Sequence, residues 1–443
     1  MTDHRYSPDS SWRAPSAAEP LDAVVTVPGS KSLTNRELVL AALADGPSTL
    51  HAPLHSDDSA RMVEALRALG VGVDPVPGDG PFGDDLLVTP VAPFTGSGEI
   101  DSGQAGTVMR FVAPLIGFVD GELTLTADGT ALHRPMGAMI KALRDLGVDI
   151  DDGGRWALPF TVRGHGQVRG GEIVIDASAS SQFVSGLLLA AARFDVGLRL
   201  IHEGAHLPSM PHIDMTVEAL SRRGVIVERP TATEWVVPAG PIRGKDVHVE
   251  PDLSNAAPFL AAALVARGRV AVTGWPLHST QPGAMLPEIL ALMGARTQRR
   301  GGAMHVAGGS SISGIDLDLS AAGELAPTIA GVAALATTPT SIRGIGHIRH
   351  HETDRLAALV ENLRALGGDA EELEDGIRIV PRPLHGGVWK AFNDHRMATT
   401  GALIGLAVDG VEVDDIGTTA KTIPQFPQLW ARMLGDESGD AAA

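Results

Sequence analysis

Lys31, Ser32 and Arg36 fall within six residues at the mouth of an apolar, small-residue run, SLTNRELVLAALA from Ser32. Gly106, Thr107 and Arg110 open a second such run, AGTVMRFVAPLIG from Ala105. Ser180, Ser181 and Gln182 open a third, and Arg396 stands at the start of DHRMATTGALIGL from Asp394. Arg134, Arg355 and Lys421 lie just ahead of more amphipathic stretches. A helix N-terminus offers free backbone N–H groups and the positive end of its dipole, so several such entrances carrying Lys, Arg, Ser and Gly make a receptacle for anions. Arg adds bidentate recognition of phosphate and carboxylate. The chemistry predicted is recognition of a small substrate with more than one acidic group. A formal charge of -18 makes these local cations stand out and argues against nucleic acid as a partner.

Other strings suggest different chemistry and read more simply. VPGSKS from Val27 lacks the GxxxxGK[ST] spacing of a nucleotide phosphate loop. HETDR from His351, taken alone, is a capped helix start with Glu352 and Arg355 in an i, i+3 pair, and NDHRM from Asn393 is another helix start. HEGAH, His202 to His206, matches the letters of a zinc motif, but it follows a strand-like GLRLI, contains Gly204 and runs into Pro208. The helix that motif requires is not expected there. His347, His350 and His351 beside Glu352 fit a polar helix entrance better than a chelate.

The elements that must position these groups repeat. The markers Thr34, Thr107, Ser181, Asn255, Glu324 and His395 open six related small-residue runs at steps of 69 to 74 residues. Further along each unit comes a second helix pattern that ends on Gly, at Gly70, Gly147, Gly224, Gly294, Gly367 and Gly435. Gly at that place suits the left-handed residue that closes a helix. The first helix of each unit, apolar nearly all round, is expected to be buried and the second to cover it. AVVTV at 23–27, LTLTA at 123–127, EIVIDA at 172–177, GLRLI at 197–201 and GIRIV at 376–380 are expected strands. Each unit therefore reads as an α/β element, and six units group as three plus three.

With crossings around Val27 to Lys31 and Val249 to Ser254, residues 21–29 plus 251–435 are expected to form one discontinuous domain and residues 30–250 the other. Residues 1–20, polar and rich in Pro and Ser, are expected to be a loose tail, as are 436–443. The composition, 44% apolar with no apolar run long enough to span a bilayer, is that of a soluble, cytoplasmic globular protein. The absence of cysteine excludes disulfides, thiolate metal sites and a cysteine nucleophile.

PGSKSLTNR from Pro28, GQAGTVMR from Gly103, ASSQF from Ala179, HETDR from His351, NDHRMA from Asn393 and TAKTIPQFP from Thr419 together resemble, in order, the motifs of the 3-phosphoshikimate 1-carboxyvinyltransferase (EPSP synthase) family. The resemblance runs from about Leu21 to Leu434. It implies a two-domain inside-out α/β barrel, each domain made of three βαβαββ units. It also implies transfer of the enolpyruvyl group of phosphoenolpyruvate to the 5-hydroxyl of shikimate 3-phosphate, with inhibition by glyphosate, a monomeric state and no cofactor or metal.

Carried over residue by residue, the resemblance implies that Lys31, Ser32, Arg36, Ser180, Ser181, Gln182, Ser209, Glu324, His347 and His351 bind shikimate 3-phosphate. Lys31, Gly106, Arg134, Gln182, Arg355, Arg396 and Lys421 are implied to bind phosphoenolpyruvate. Glu324 takes the proton-acceptor position and Glu352 the proton donor's, with Lys31 and His395 assisting. The chain departs from the family pattern at Glu324, where many members have Asp, and at His351 and His347, which replace Lys and Asn and make that grip pH-dependent near neutrality. His212, Gln104 and Phe111 stand where Tyr, Asn and Pro are common. A UDP-N-acetylglucosamine 1-carboxyvinyltransferase is the nearest rival, but that family typically carries a loop cysteine. A non-catalytic anion-binding protein would have no use for Glu324, Glu352 and Lys31 together, and metal analysis separates a metallohydrolase.

Overall fold

The structure, a computed structural model, describes residues 11–436. Residues 1–10 and 437–443 of the expected tails lie outside the described residues. Two compact units emerge, one comprising Pro28–Glu250 and the other the chain up to Val27 together with the chain from Pro251. Pro28 and Gly29 thus belong with the 30–250 body, two residues earlier than expected. A Cβ on Gly29 would collide with Ala52 O and touch Val249 Cγ1, both in that body.

Among the described residues the six small-residue runs form α1 (Lys31–Ala42), α3 (Gly106–Ile116), α5 (Gln182–Ala191), α7 (Ala257–Val265), α9 (Ala326–Ala334) and α11 (His395–Gly405). The second helices are α2 (Asp57–Ala68), α4 (Gly137–Asp145), α6 (Met210–Arg222), α8 (Leu286–Leu292), α10 (Arg355–Ala365) and α12 (Phe426–Met433). The six predicted terminal glycines all take positive φ, from 82° to 107°, which relieves each of a Cβ clash and lets the chain turn into the next strand. The first helices are buried almost throughout. Within the Pro28–Glu250 unit α1, α3 and α5 touch one another, and within the other unit α7, α9 and α11 do the same. Small residues permit this: a Cβ on Gly186 of α5 would run into Arg110 O of α3, and one on Gly331 of α9 would sit 3.0 Å from Thr400 Cγ2 of α11. The packing explains why these helices are nearly devoid of a polar face.

Among the described residues, five of six small mixed sheets have four strands in one order. In the second repeat Gly98–Asp101 pairs parallel with Asp120–Thr126, which pairs antiparallel with Phe160–His165, which pairs antiparallel with Asp149–Asp151. The chain order is strand, α3, strand, α4, strand, strand. At the crossings the connections are exchanged. Asp22–Val25 completes the sheet of Arg269–Val272 yet leads into α1, whereas Val247–His248 completes the sheet of Ser48–His51 yet leads toward α7.

The sixth sheet corrects one expectation. The antiparallel neighbour of Val411–Val413 is Trp12–Arg13. Ala14 N–H donates to Val411 O and Ala17 N–H to Leu406 O, and Ala14 is buried. Residues 12–17 are thus a structural strand and its extension rather than a loose tail, because an unpaired edge at Val411–Val413 would otherwise present open backbone groups.

Candidate functional site

The Pro28–Glu250 unit gathers its predicted residues at the starts of α1, α3, α5 and α6. Lys31, the first residue of α1, places Nζ 3.1 Å from Asp58 Oδ2 in the first turn of α2. Arg36, one turn along, is fully buried and directs Nη1 to Ser32 O at 2.7 Å, Nε to Thr216 Oγ1 at 2.8 Å and Nη2 to His212 O at 2.8 Å. Its guanidinium lies over Phe111, the ring at the position where Pro is common. Arg36 thus ties the backbone of Ser32 to that of His212.

Gly106 opens α3 with no side-chain cap, so its backbone donors are available to an anion. A Cβ there would stand 2.9 Å from Arg110 Nη1, 3.3 Å from Gln182 Oε1 and 3.7 Å from Arg134 Nη1, which shows how closely these side chains converge on the glycine. Arg134 uses Nη1 on Gln104 O at 2.9 Å and leaves Nε and Nη2 buried without a protein partner. A guanidinium donor without an acceptor is costly to bury; an anion seated beside Gly106 relieves it. Ser180 Oγ accepts from Gln182 N, Ser181 precedes α5, and Ser209 enters α6 in the left-handed region at φ 53°, a strained choice for a residue with a Cβ.

In the other unit the predicted residues form one connected network. Lys421 Nζ lies 3.4 Å from Glu352 Oε1, and Arg355 Nη2 donates to Glu352 Oε2 at 3.0 Å. Arg355 also grips the fully buried Asp394, with Nε on Oδ2 at 2.7 Å and Nη2 on Oδ1 at 3.2 Å. Burial opposes the Arg355 charge, but Asp394 and Glu352 hold its pKa above the ordinary value. Asp394 caps α11 by accepting Arg396 N at 2.8 Å. Arg396 Nη1 reaches Ser254 O at 3.2 Å, and Ser254 Oγ donates to Glu324 Oε1 at 3.1 Å. Burial pushes Arg396 down from its usual pKa, with Glu324 opposing. His395, next to the cap, is buried with Nδ1 3.9 Å from Asp394 Oδ1.

His347 and His351 sit edge to face, 5.8 Å between ring centres, in and just after the turn at Gly346–His350. His351 Nδ1 accepts from Arg355 Nη1 at 2.9 Å, and burial, with the Arg355 charge next, pushes its pKa well below 6.5. Burial and the Arg355 charge thus disfavour the protonated form of His351. Because its folded pKa is depressed, the stability it contributes is intact above 6.5 and is lost as pH falls toward the folded value. His202 ends a strand, not a helix, and its Nδ1 accepts from Ala177 N. Among the described residues no three His, Cys, Asp or Glu side chains are arranged to hold a metal.

Sequence reasoning passed over Asp58, Ser254 and the structural role of Asp394. Asp394 had been seen only as a helix cap. Ser254 stands at the fourth entrance, which carries no cation to draw notice.

The arrangement suits a group-transfer enzyme for small polyanions that also moves protons: the uncapped starts of α3, α5 and α6 and a half-satisfied Arg134 in one unit, three carboxylates threaded among Arg and Lys in the other. The sequence profile of EPSP synthase (3-phosphoshikimate 1-carboxyvinyltransferase) matches residues 15–430. A 3-phosphoshikimate 1-carboxyvinyltransferase from Kocuria rhizophila is 53% identical over 437 residues, 98% of each chain. The chain belongs to the EPSP synthase family. Its fold is similar to that of EPSP synthase from Acinetobacter baumannii, at TM-score 0.78 and 24% identity over 96% of this chain and 98% of that one. It is also similar to the enolpyruvyl transferase NikO from Streptomyces tendae, at TM-score 0.75 and 19% identity with the same coverage.

Proposed function

We propose that this protein transfers the 1-carboxyvinyl group of phosphoenolpyruvate to the 5-hydroxyl of shikimate 3-phosphate, releasing phosphate. The observation that carries the reading is that the residues matching the family motifs assemble into one anion-collecting group and one acid–base network rather than scattering over the surface.

Lys31, Ser32, Arg36, Ser180, Ser181, Gln182 and Ser209 take shikimate 3-phosphate on the Pro28–Glu250 unit. Glu324, His347 and His351 are likewise read as shikimate 3-phosphate residues. Gly106, Arg134, Gln182, Lys31, Arg355, Arg396 and Lys421 are read as the phosphoenolpyruvate residues. Each domain is read as an inside-out α/β barrel, a reading supported by three mutually packed, buried helices per unit.

In the addition step the 5-hydroxyl oxygen bonds to C2 of the enol, its proton passes to Glu324, and C3 receives a proton from Glu352, with Lys31 and His395 assisting. A tetrahedral ketal phosphate results. Loss of a C3 proton with cleavage of the C2–O bond to phosphate restores the double bond and yields 5-enolpyruvylshikimate 3-phosphate. Guanidinium groups aimed at the phosphate and carboxylate stabilise the charge that develops as that bond breaks.

Phosphate release by the purified protein from phosphoenolpyruvate is the test, with shikimate 3-phosphate and, separately, UDP-N-acetylglucosamine as acceptor. Release with shikimate 3-phosphate alone is expected; release with the nucleotide sugar, or with neither, overturns the assignment.

Gly106 sharpens the reading. Glyphosate, the inhibitor expected for this family, competes with phosphoenolpyruvate, and a methyl group at Gly106 presses on Arg110 and Gln182 at 2.9 and 3.3 Å. Displacing positioned groups by a fraction of an ångström costs on the order of tenfold or more. Gly106→Ala is expected to weaken glyphosate by about that factor while shikimate 3-phosphate affinity stays within about twofold. Equal losses in titrations of the two ligands would refute it.

A further inference from the structure

We propose that Ser254, just ahead of α7, is a positioning residue for the reaction: its hydroxyl orients Glu324 while its carbonyl holds Arg396, so one residue sets the proton acceptor in register with an anion-binding guanidinium. The proposal rests on the assignment of Glu324 as proton acceptor made above.

Ser254 is well placed for such a duty because its own backbone is clamped. Ser254 N and Asn255 N donate to Asp252 Oδ1 at 3.1 and 2.8 Å, and Asp252 is buried. Gln281 braces the preceding chain, donating from Nε2 to Pro251 O at 3.0 Å and accepting from Leu253 N at 3.2 Å. Asn255 Nδ2 donates to Thr422 O at 3.1 Å, which ties the same dipeptide to the residue after Lys421. Only 6% of Ser254 is exposed, so its bonds to Glu324 and Arg396 face little competition from water.

A hydroxyl donating to a carboxylate favours the ionised form and fixes its rotation. Charged or titratable groups near Glu324 include Arg396 on α11, Arg355 on α10, and His351 and His347 around the Gly346–His350 turn. The two arginines also favour the carboxylate, but Ser254 supplies a directed bond to Oε1. Removing that bond makes Glu324 a more basic and less well-aimed acceptor.

Ser254→Ala, Ser254→Thr and Glu324→Gln, assayed side by side for kcat, KM and thermal unfolding between about pH 5 and 9, provide the test. Loss of a hydrogen bond to a charged group predicts a fall in kcat of roughly tenfold in Ser254→Ala. The acidic limb of its kcat profile is expected to move up by about one pH unit, with KM for shikimate 3-phosphate within about twofold. Ser254→Thr, which keeps the hydroxyl, is expected to restore both rate and limb. A Ser254→Ala profile superimposable on the parent, or a Thr variant with the same defect as Ala, overturns the proposal. Parent-like kcat in Glu324→Gln overturns the assignment of Glu324 itself, and the positioning role with it. Loss of activity in Glu324→Gln beside an unaltered Ser254→Ala sinks the positioning role alone.

Discussion

Glu352→Gln will lower kcat by about a thousandfold, within the usual range for loss of a general acid, while the thermal transition hardly moves. The reason lies in the partners of Glu352. Its two oxygens sit 3.4 Å from Lys421 Nζ and 3.0 Å from Arg355 Nη2, cations that favour the carboxylate. A proton donor must nevertheless carry a proton when phosphoenolpyruvate is bound. The proposed ligand supplies the change: its phosphate and carboxylate compete for the same Arg355 and Lys421. Glu352, left beside an anion with its cations engaged elsewhere, then rises in pKa and takes up a proton. Binding of phosphoenolpyruvate in the presence of shikimate 3-phosphate is therefore expected to draw a proton from the buffer. Calorimetry in buffers of different ionisation enthalpy reads this directly, and the uptake is expected to vanish in Glu352→Gln. Uptake that persists in the variant, or a parent-like kcat, would remove Glu352 from the donor's role.

Asp394→Ala will have the largest effect on stability. Asp394 is fully inaccessible, accepts two bonds from Arg355, and caps α11 through Arg396 N. Its removal strands a buried guanidinium, for which a cost of about 3–5 kcal/mol is typical, with roughly 1 kcal/mol more for the lost cap. At about 2–4 °C per kcal/mol for a unit of this size, the melting temperature is expected to fall on the order of 10 °C. Asp394→Asn retains the cap but loses the charge, and an intermediate fall is expected. Arg355→Met combined with Asp394→Leu, which removes both charges, is expected to melt above Asp394→Ala although inactive. If Asp394→Ala melts within about 2 °C of the parent, the ion pair is not holding the start of α11 in the way its burial and geometry indicate.

Much of the frame was legible beforehand. Six small-residue helices, six covering helices closed by glycines of positive φ and the α/β character are local properties: each needs only the spacing of apolar residues or a single backbone conformation. The choice of Arg, Lys, Ser and Gly at helix entrances likewise announced anion binding before any partner was known. Arg36 shows the limit, because the chain alone does not reveal that this basic residue bonds Thr216, Ser32 O and His212 O.

The sequence by itself determined the repeat, its helices, the polyanion chemistry and, through six ordered motifs, the family. Tertiary structure alone decided the pairings. Trp12–Arg13 closes a sheet formed near the opposite chain end, Arg355 meets an Asp394 39 residues away, and Ser254 bonds a Glu324 70 residues away. The depressed pKa of His351 also emerges only when burial and Arg355 are brought to it. Helix periods and capping glycines act through neighbours on the chain, whereas ion pairs, desolvation and strand closure depend on groups that packing brings together from distant segments.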